Sequence, residues 1–177
     1  MTLRFLPLGL LAGLMIVPGR LFSAELSSAA RLPFVAKNTP AYCEVNRVRR
    51  ERVKSYPYVY YYRTEVRNNS NAPLRVVSFS CFRRVNGKWI EMPNIMKRPL
   101  VVKDFVAWYN DGDPVPDGWI APGKTAACDP NWSGYLRPPQ VVQQLKWAFM
   151  AVDKHGNRYT CEAKIDLLPM SSQHSLP

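Results

Sequence analysis

The sequence has only two histidines, His155 and His174, and no Gly-x-Ser-x-Gly step. A hydrolase built on a nucleophile elbow needs that step, and His155 has no acid or nucleophile spaced locally for a triad. No C-x-x-C pair occurs among Cys43, Cys81, Cys128 and Cys161, and their wide spacing argues against a structural zinc site. Nucleic-acid-binding motifs, heptads, solenoid repeats and a convincing amphipathic helix are also missing. Long apolar runs are absent too. The stretch from Phe5 to Val17 falls short of the roughly 20 residues that a bilayer-spanning helix needs, and Pro18-Gly19 interrupts it. Acidic residues are scarce, 13 against 24 basic ones, for a formal charge of +11.

What the N-terminus does contain is the three-part grammar of a cleaved secretory signal: Arg4, the apolar run, then small residues ending at Ser23-Ala24. Cleavage is expected after Ala24, or after Ala29, where Ser27 and Ala29 supply small side chains. The reading is residues 1–24 as signal, 25–40 as a lead-in with one short strand, 41–168 as the domain and 169–177 as a flexible tail. The mature chain is expected to be exported (periplasmic, cell-surface or extracellular) with no transmembrane segment. Four cysteines outside the signal, an even number, then read as two disulfides. Cleavage removes only Arg4 and Arg20, so the basic excess persists and would draw the domain to anionic lipid, acidic polysaccharide or an acidic protein.

From Tyr56 onward the pattern is β. Tyr60, Tyr62, Thr64 and Val66 alternate with Tyr61, Arg63, Glu65 and Arg67, a period of two that gives one face to a core, and the Asn68–Pro73 cluster ends the run as a turn. LRVVSFSCFRRV and KWIEM flank Asn86-Gly87, a strong hairpin signal because both central turn residues need positive φ. Residues 93–118 are loop-like, with RPLVVKDFVAWY inside them as a further strand. Pro122-Gly123 turns into a strand carrying Cys128. A closing hairpin around Asp153–Asn157 puts Trp147, Phe149 and Ala151 on one face of its first strand, and Tyr159, Cys161, Ala163 and Ile165 on one face of its second. Six to eight short strands between Pro, Gly and Asn turns make an all-β fold of two packed antiparallel sheets.

The strand ending in Asn68, the Trp119-x-x-Pro122-Gly123 step and the closing hairpin with Asp153 and Gly156-Asn157 resemble immunoglobulin-like or fibronectin type III-like domains of exported proteins. The resemblance covers about residues 56–167 and implies architecture alone: an immunoglobulin-like sandwich. In that architecture Cys81 and Cys161 would be separated by the strand around Trp147, about 9–10 Å apart, beyond the reach of a disulfide. Of the three pairings that four cysteines allow, Cys43 with Cys161 and Cys81 with Cys128 is therefore the expected one.

Two groups of residues are candidates for binding. Arg47, Arg49, Arg50 and Arg52, with Lys54 nearby, can fork onto phosphate, sulfate or carboxylate, or merely form a solvated edge. Trp108, Tyr109, Trp119 and Trp132 sit in or beside loops, where rings stack on sugars, anchor protein interfaces or simply pack. The carboxylates Asp111, Asp113 and Asp117 lack the ligand pattern of an EF-hand and read as a turn cluster. Met92 and Met96 have no histidine spaced to complete a copper site and read as packing residues. A carboxylate pair such as Glu91 and Asp104 is the one glycosidase-like option. Asn68-Asn69-Ser70 and Asn131-Trp132-Ser133 are sequons, relevant only in a glycosylating secretory pathway. The expectation is a non-catalytic interaction module for a protein partner in an envelope or cell-surface assembly, without cofactor, metal or nucleic acid. Binding of acidic glycans or other polyanions is the alternative.

Overall fold

The structure, a computed structural model, describes residues 32–40, 42–43 (backbone) and 56–169. The signal segment, the basic stretch with Arg47, Arg49, Arg50 and Arg52, and the C-terminal tail lie outside the described residues. No helix among the described residues is long and apolar enough to cross a membrane.

The chain forms two sheets. The smaller has the order β1–β3–β8, from β1 (Phe34–Thr39), β3 (Tyr58–Asn68) and β8 (Thr125–Tyr135). The larger has the order β2–β10–β9–β4–β5, from β2 (Tyr42–Cys43), β4 (Leu74–Val85), β5 (Lys88–Glu91), β9 (Gln143–Val152) and β10 (Arg158–Leu167). Two short strands, β6 (Leu100–Val101) and β7 (Trp119–Ile120), also pair with β4. All pairings are antiparallel except that of β2 with β10.

The alternation seen in the sequence decides which face is buried. In β3, Tyr60, Tyr62, Thr64 and Val66 are covered, and β9 and β4 answer from the larger sheet with Leu145, Trp147, Phe149, Ala151 and Phe79. The hairpins form where expected: Asn86 and Gly87 have φ of 49° and 78°, the left-handed pair that a tight turn between right-twisted strands requires. Asp153 organises the closing hairpin by accepting the backbone N–H groups of His155 and Asn157 at 2.8 and 3.0 Å.

One element differs. RPLVVKDFVAWY is not a strand beyond Leu100–Val101; it continues as helix α1 (Val102–Trp108). Its β-branched and aromatic composition favours a strand, but two local facts outweigh that preference. Asp104 folds back to accept the Val101 N–H at 2.9 Å, placing a carboxylate at the helix start, where the backbone dipole favours it. Phe105 and Tyr109, four residues apart, stack at 4.6 Å and enter the core against Phe79 and Phe149.

The expected disulfides do not form. Cys81, Cys128 and Cys161 are free thiols. Backbone register excludes Cys43 with Cys161, because Cys43 lies opposite Leu167, six residues along β10 from Cys161, or about 20 Å at the usual rise of a strand. Cys81 and Cys128 belong to β4 and β8, strands of opposite sheets, and layers packed face to face stand about 10 Å apart. Without a local pinch, that spacing exceeds what one disulfide bridges. The expected separation of Cys81 from Cys161 by the Trp147 strand is observed.

Polar side chains stitch the layers together inside the core. Asn131 donates from Nδ2 to the Thr64 hydroxyl at 2.8 Å, Thr64 donates to Asn38 Oδ1 at 2.7 Å, and Asn38 donates to the Ala163 carbonyl at 3.0 Å. Beside this chain Trp147 Nε1 donates to Tyr62 Oη, which shares a hydrogen bond with the Ser133 hydroxyl, both at 2.9 Å. Thr64→Val keeps the shape and removes the central hydroxyl, leaving the Asn131 amide N–H and the Asn38 Oδ1 each without its partner. The expected loss is about 2–6 kcal/mol, at 1–3 kcal/mol for each of the two orphaned buried groups. Urea unfolding of the two proteins measures it, and a difference under about 0.5 kcal/mol would show that the chain is energetically idle.

Candidate functional site

On the open side of the sandwich, between β8 and the segment that follows β5, lies a groove of about 690 Å³. Its floor is Cys81, Cys128, Trp108 and Trp147. One wall is residues 130–134 with Tyr56 at the end; the other is Met92–Ile95 and Lys97. The site exists because β8 is the last strand of its sheet, and among the described residues only half of its outer edge is covered. Over Thr125–Ala127 the backbone of 110–113 supplies the missing partner, with Asp111 N–H on the Ala127 carbonyl and Asp113 N–H on the Thr125 carbonyl. Over Asn131–Tyr135 no strand among the described residues lies on the side away from β3.

The acidic loop is thus an edge cover. Asp111 accepts the Asp129 N–H, and Asp113 accepts the Thr125 N–H while pairing with Lys124. Gly112 runs so close to β8 that a Cβ would stand 2.4 Å from the Thr125 carbonyl. The hydrogen bond from Thr125, then that from Lys124, holds the Asp113 carboxyl below the usual range.

The opposite lip is anchored at both ends. Met92 N–H donates to the Cys81 carbonyl at 2.8 Å. Asn94 then folds the lip by accepting the Met96 and Lys97 N–H groups and donating to the Arg98 carbonyl. Arg98 closes the loop with a bidentate pair onto Asp104, both contacts at 2.7 Å. Asp104 is buried, and the Arg98 guanidinium, with help from the Val101 N–H, draws its carboxyl down to about 2. The result is a stiff lip that presents Ile95, 59% exposed, and Met96, 42% exposed, to solvent.

Of the candidate binding residues, the structure brings together Trp108 on the floor and Trp132 on the wall. Tyr109 is fully buried behind the floor. Trp119 is elsewhere, paired in β7 with Arg75. Glu91 and Asp104 are not a pair, since Glu91 accepts from Ser80 and Asp104 is engaged by Arg98. Both sequon asparagines are buried with Nδ2 engaged, Asn68 on the Ala72 and Ile120 carbonyls and Asn131 on Thr64. Sequence reasoning missed Cys81, Met92, Cys128 and Trp147 as groove residues. Their parity was a usable signal, since Cys81 and Trp147 fall in step with the core residues Phe79 and Phe149.

A second concavity, about 710 Å³, lies on the outer face of the smaller sheet along Lys37, Arg63, Glu65, Arg67 and Asp113. Its charges answer one another: Glu65 pairs with Lys37 and Arg63, and Arg63 also reaches Asp129. Lys37, then Arg63, holds the Glu65 carboxyl below its ordinary range. A face so neutralised offers little to a charged ligand and has no aromatic floor, so the groove is the better candidate.

No protein-family model matches the chain, and no curated protein matches it. Among solved structures, an X-ray structure from the Northeast Structural Genomics Consortium shares 11% identity at a TM-score of 0.41, covering 68% of this chain and 76% of its own. A crystal structure from Bordetella pertussis that carries the name ApaA protein shares 12% identity at a TM-score of 0.39, covering 78% and 91%. Likenesses at that level identify neither a family nor a function.

The Arg98–Asp104 clamp has a pH signature. A carboxyl lowered from 3.8 to about 2 on folding adds stability that is fully present above pH 4 and is lost as pH falls through 2. Asp104→Asn is expected to lower stability by about 2 kcal/mol at pH 7, where Arg98 is left half-exposed and unpaired. The gap between the two proteins should close between pH 4 and pH 2. Denaturant titrations across that range check it, and a gap that does not vary with pH would remove the clamp from the account.

Proposed function

We propose that this protein is an exported, non-catalytic binding module on an immunoglobulin-like scaffold. It docks an extended segment of a protein partner, within an envelope or cell-surface assembly, by taking an apolar side chain of that segment into the groove. The observation that carries the reading is the pairing of a stiff lip, exposing Ile95 and Met96, with an aromatic floor of Trp108 and Trp147 and the Trp132 wall. Aromatic and methionine surfaces are favoured at the centres of interfaces, and a lip already fixed by Asn94 and Arg98 loses little freedom on binding. The half of the β8 edge that no described strand pairs with favours an extended occupant, because it runs along the wall of the groove. The basic excess of the chain would steer an acidic partner toward it and speed encounter more than it would strengthen the contact.

A photo-crosslinking residue placed at Ile95 is expected to capture one protein at a fixed ratio from the native envelope, at low and at high salt. Ile95→Asp, at an exposed position, should leave the thermal midpoint unchanged and weaken that complex by about 30-fold or more, as loss of an interface anchor does. Leu32→Asp, at an exposed residue just before β1 and near the other end of β3, should leave it intact. A partner released by salt alone and indifferent to Ile95→Asp would overturn the reading in favour of an acidic glycan or other polyanion.

A further inference from the structure

The sheet face that floors the groove does not stop at Cys81. Side chains two residues apart on a strand share a face and stand about 7 Å apart, so β4 carries the inner face on from Cys81 to Arg83 and Val85. Register agrees: Arg83 lies opposite the buried core residue Leu145 on one side and opposite Ile90 on the other, and Val85 lies opposite Lys88. The inner face of a sheet in a sandwich is usually its covered, apolar one. Beyond Cys81 it alternates base and hydrocarbon instead, with Arg83 and Lys88 exposed, Ile90 52% exposed and Val85 37% exposed.

Lys97 supplies an independent sign. It stands on the lip wall with a φ of 52°, a left-handed backbone that glycine takes freely and that strains most other residues. Asn86 and Asp117, the other non-glycine residues with positive φ among those described, are of the types that tolerate it. A lysine kept where glycine would close the same turn without strain implies a use for its side chain.

These charges are also unanswered. Arg98 is taken by Asp104, Arg84 donates to Gln144, and the ion pairs on the outer face of the smaller sheet neutralise one another. No described residue forms a hydrogen bond or ion pair with the side chain of Arg83, Lys88 or Lys97. The groove's own carboxylate, Asp111, already accepts the Asp129 N–H. A second copy of this chain, with a formal charge of +11, would bring more charge of the same sign to the site.

We propose that the occupant of the groove is an acidic protein segment whose apolar anchor lies over the Cys81 floor and whose flanking carboxylates bind Arg83, with Lys88 beside it, and Lys97 on the lip. An extended segment repeats its side chains on one face every second residue, at the same spacing that separates Cys81 from Arg83, so an acid two residues from the anchor falls over the arginine. Its carboxylate can accept both prongs of the guanidinium fork. The inference deepens the docking reading and rests on it.

The test uses a labelled, end-blocked peptide, Thr-Asp-Thr-Leu-Thr-Asp-Thr, and its analogues with Asn or Lys in place of both Asp, each titrated with the full-length protein by fluorescence anisotropy at physiological ionic strength. The Asp peptide is expected to bind about 10-fold or more tighter than the Asn peptide, and the Lys peptide most weakly. Lys97→Gly and Arg83→Gln should each weaken the Asp peptide about 5- to 10-fold and leave the Asn peptide unchanged. Lys97→Gly should at the same time raise the thermal midpoint, because it relieves the left-handed backbone; a lysine with a merely structural role would not lose affinity while gaining stability. Arg158→Gln removes an exposed charge opposite Val152, at the far end of the larger sheet from Arg83, and should change neither affinity. Equal binding of the Asp and Asn peptides, refusal of all three, an equal loss from Arg158→Gln, or an oligogalacturonate that competes as well as the Asp peptide would each overturn the proposal. The docking reading answers separately to Ile95→Asp: a partner complex that this substitution weakens, with no preference for acid in the peptides, keeps the groove as a docking site and removes its charge selectivity.

Discussion

The hydrogen-bonded chain through the core, from Asn131 by way of Thr64 and Asn38 to the Ala163 carbonyl, is the constraint on which the rest of the structure depends. Apolar burial alone would let two sheets slide over one another, because it has no direction. The polar chain has one satisfactory arrangement, and in a low-dielectric interior every broken member costs the desolvation of its group. It ties β8 and β3 to β1 and β10 at fixed register. The parallel link from Trp147 through Tyr62 to Ser133 does the same for β9, β3 and β8.

The groove follows from that registry. With β8 fixed beside β3, its outer edge falls where the 110–113 segment covers the first half and, among the described residues, no strand pairs with the second half. The facing wall needs its own support, because the residues from Met92 to Arg98 belong to no strand. Arg98 and Asp104 provide it by binding the lip to the start of α1, and α1 in turn sends Phe105 and Tyr109 into the aromatic core around Phe79. Core, helix and lip therefore form one mechanical unit.

Much of the sheet architecture was legible in the residues because period-two alternation reports burial directly, as in Tyr60 to Val66 and Trp147 to Ala151. Turn chemistry was equally readable at Asn86-Gly87 and Asp153–Asn157. The helix was not, because a seven-residue element draws its stability from tertiary contacts, and Val, Phe and Trp say β in isolation. The cysteines misled for a related reason: an even count suggests bridges, whereas register alone decides whether two sulfurs meet. The groove was half legible. Trp108 and Trp132 stood out as loop aromatics, but their partners Cys81, Met92 and Trp147 come from strands distant in sequence, and no spacing rule brings these together.

The burial of Asn68 and Asn131 also bears on where such a chain can be made. Each amide is a structural strut: Asn68 closes the turn after β3 through Ser70, Ala72 and Ile120, and Asn131 begins the polar chain between the sheets. Oligosaccharide transfer acts on nascent, unfolded polypeptide, before either amide is enclosed. A glycan attached there would stand in the way of sheet closure, so production through a eukaryotic secretory route would yield misfolded material unless Ser70 and Ser133 were first replaced.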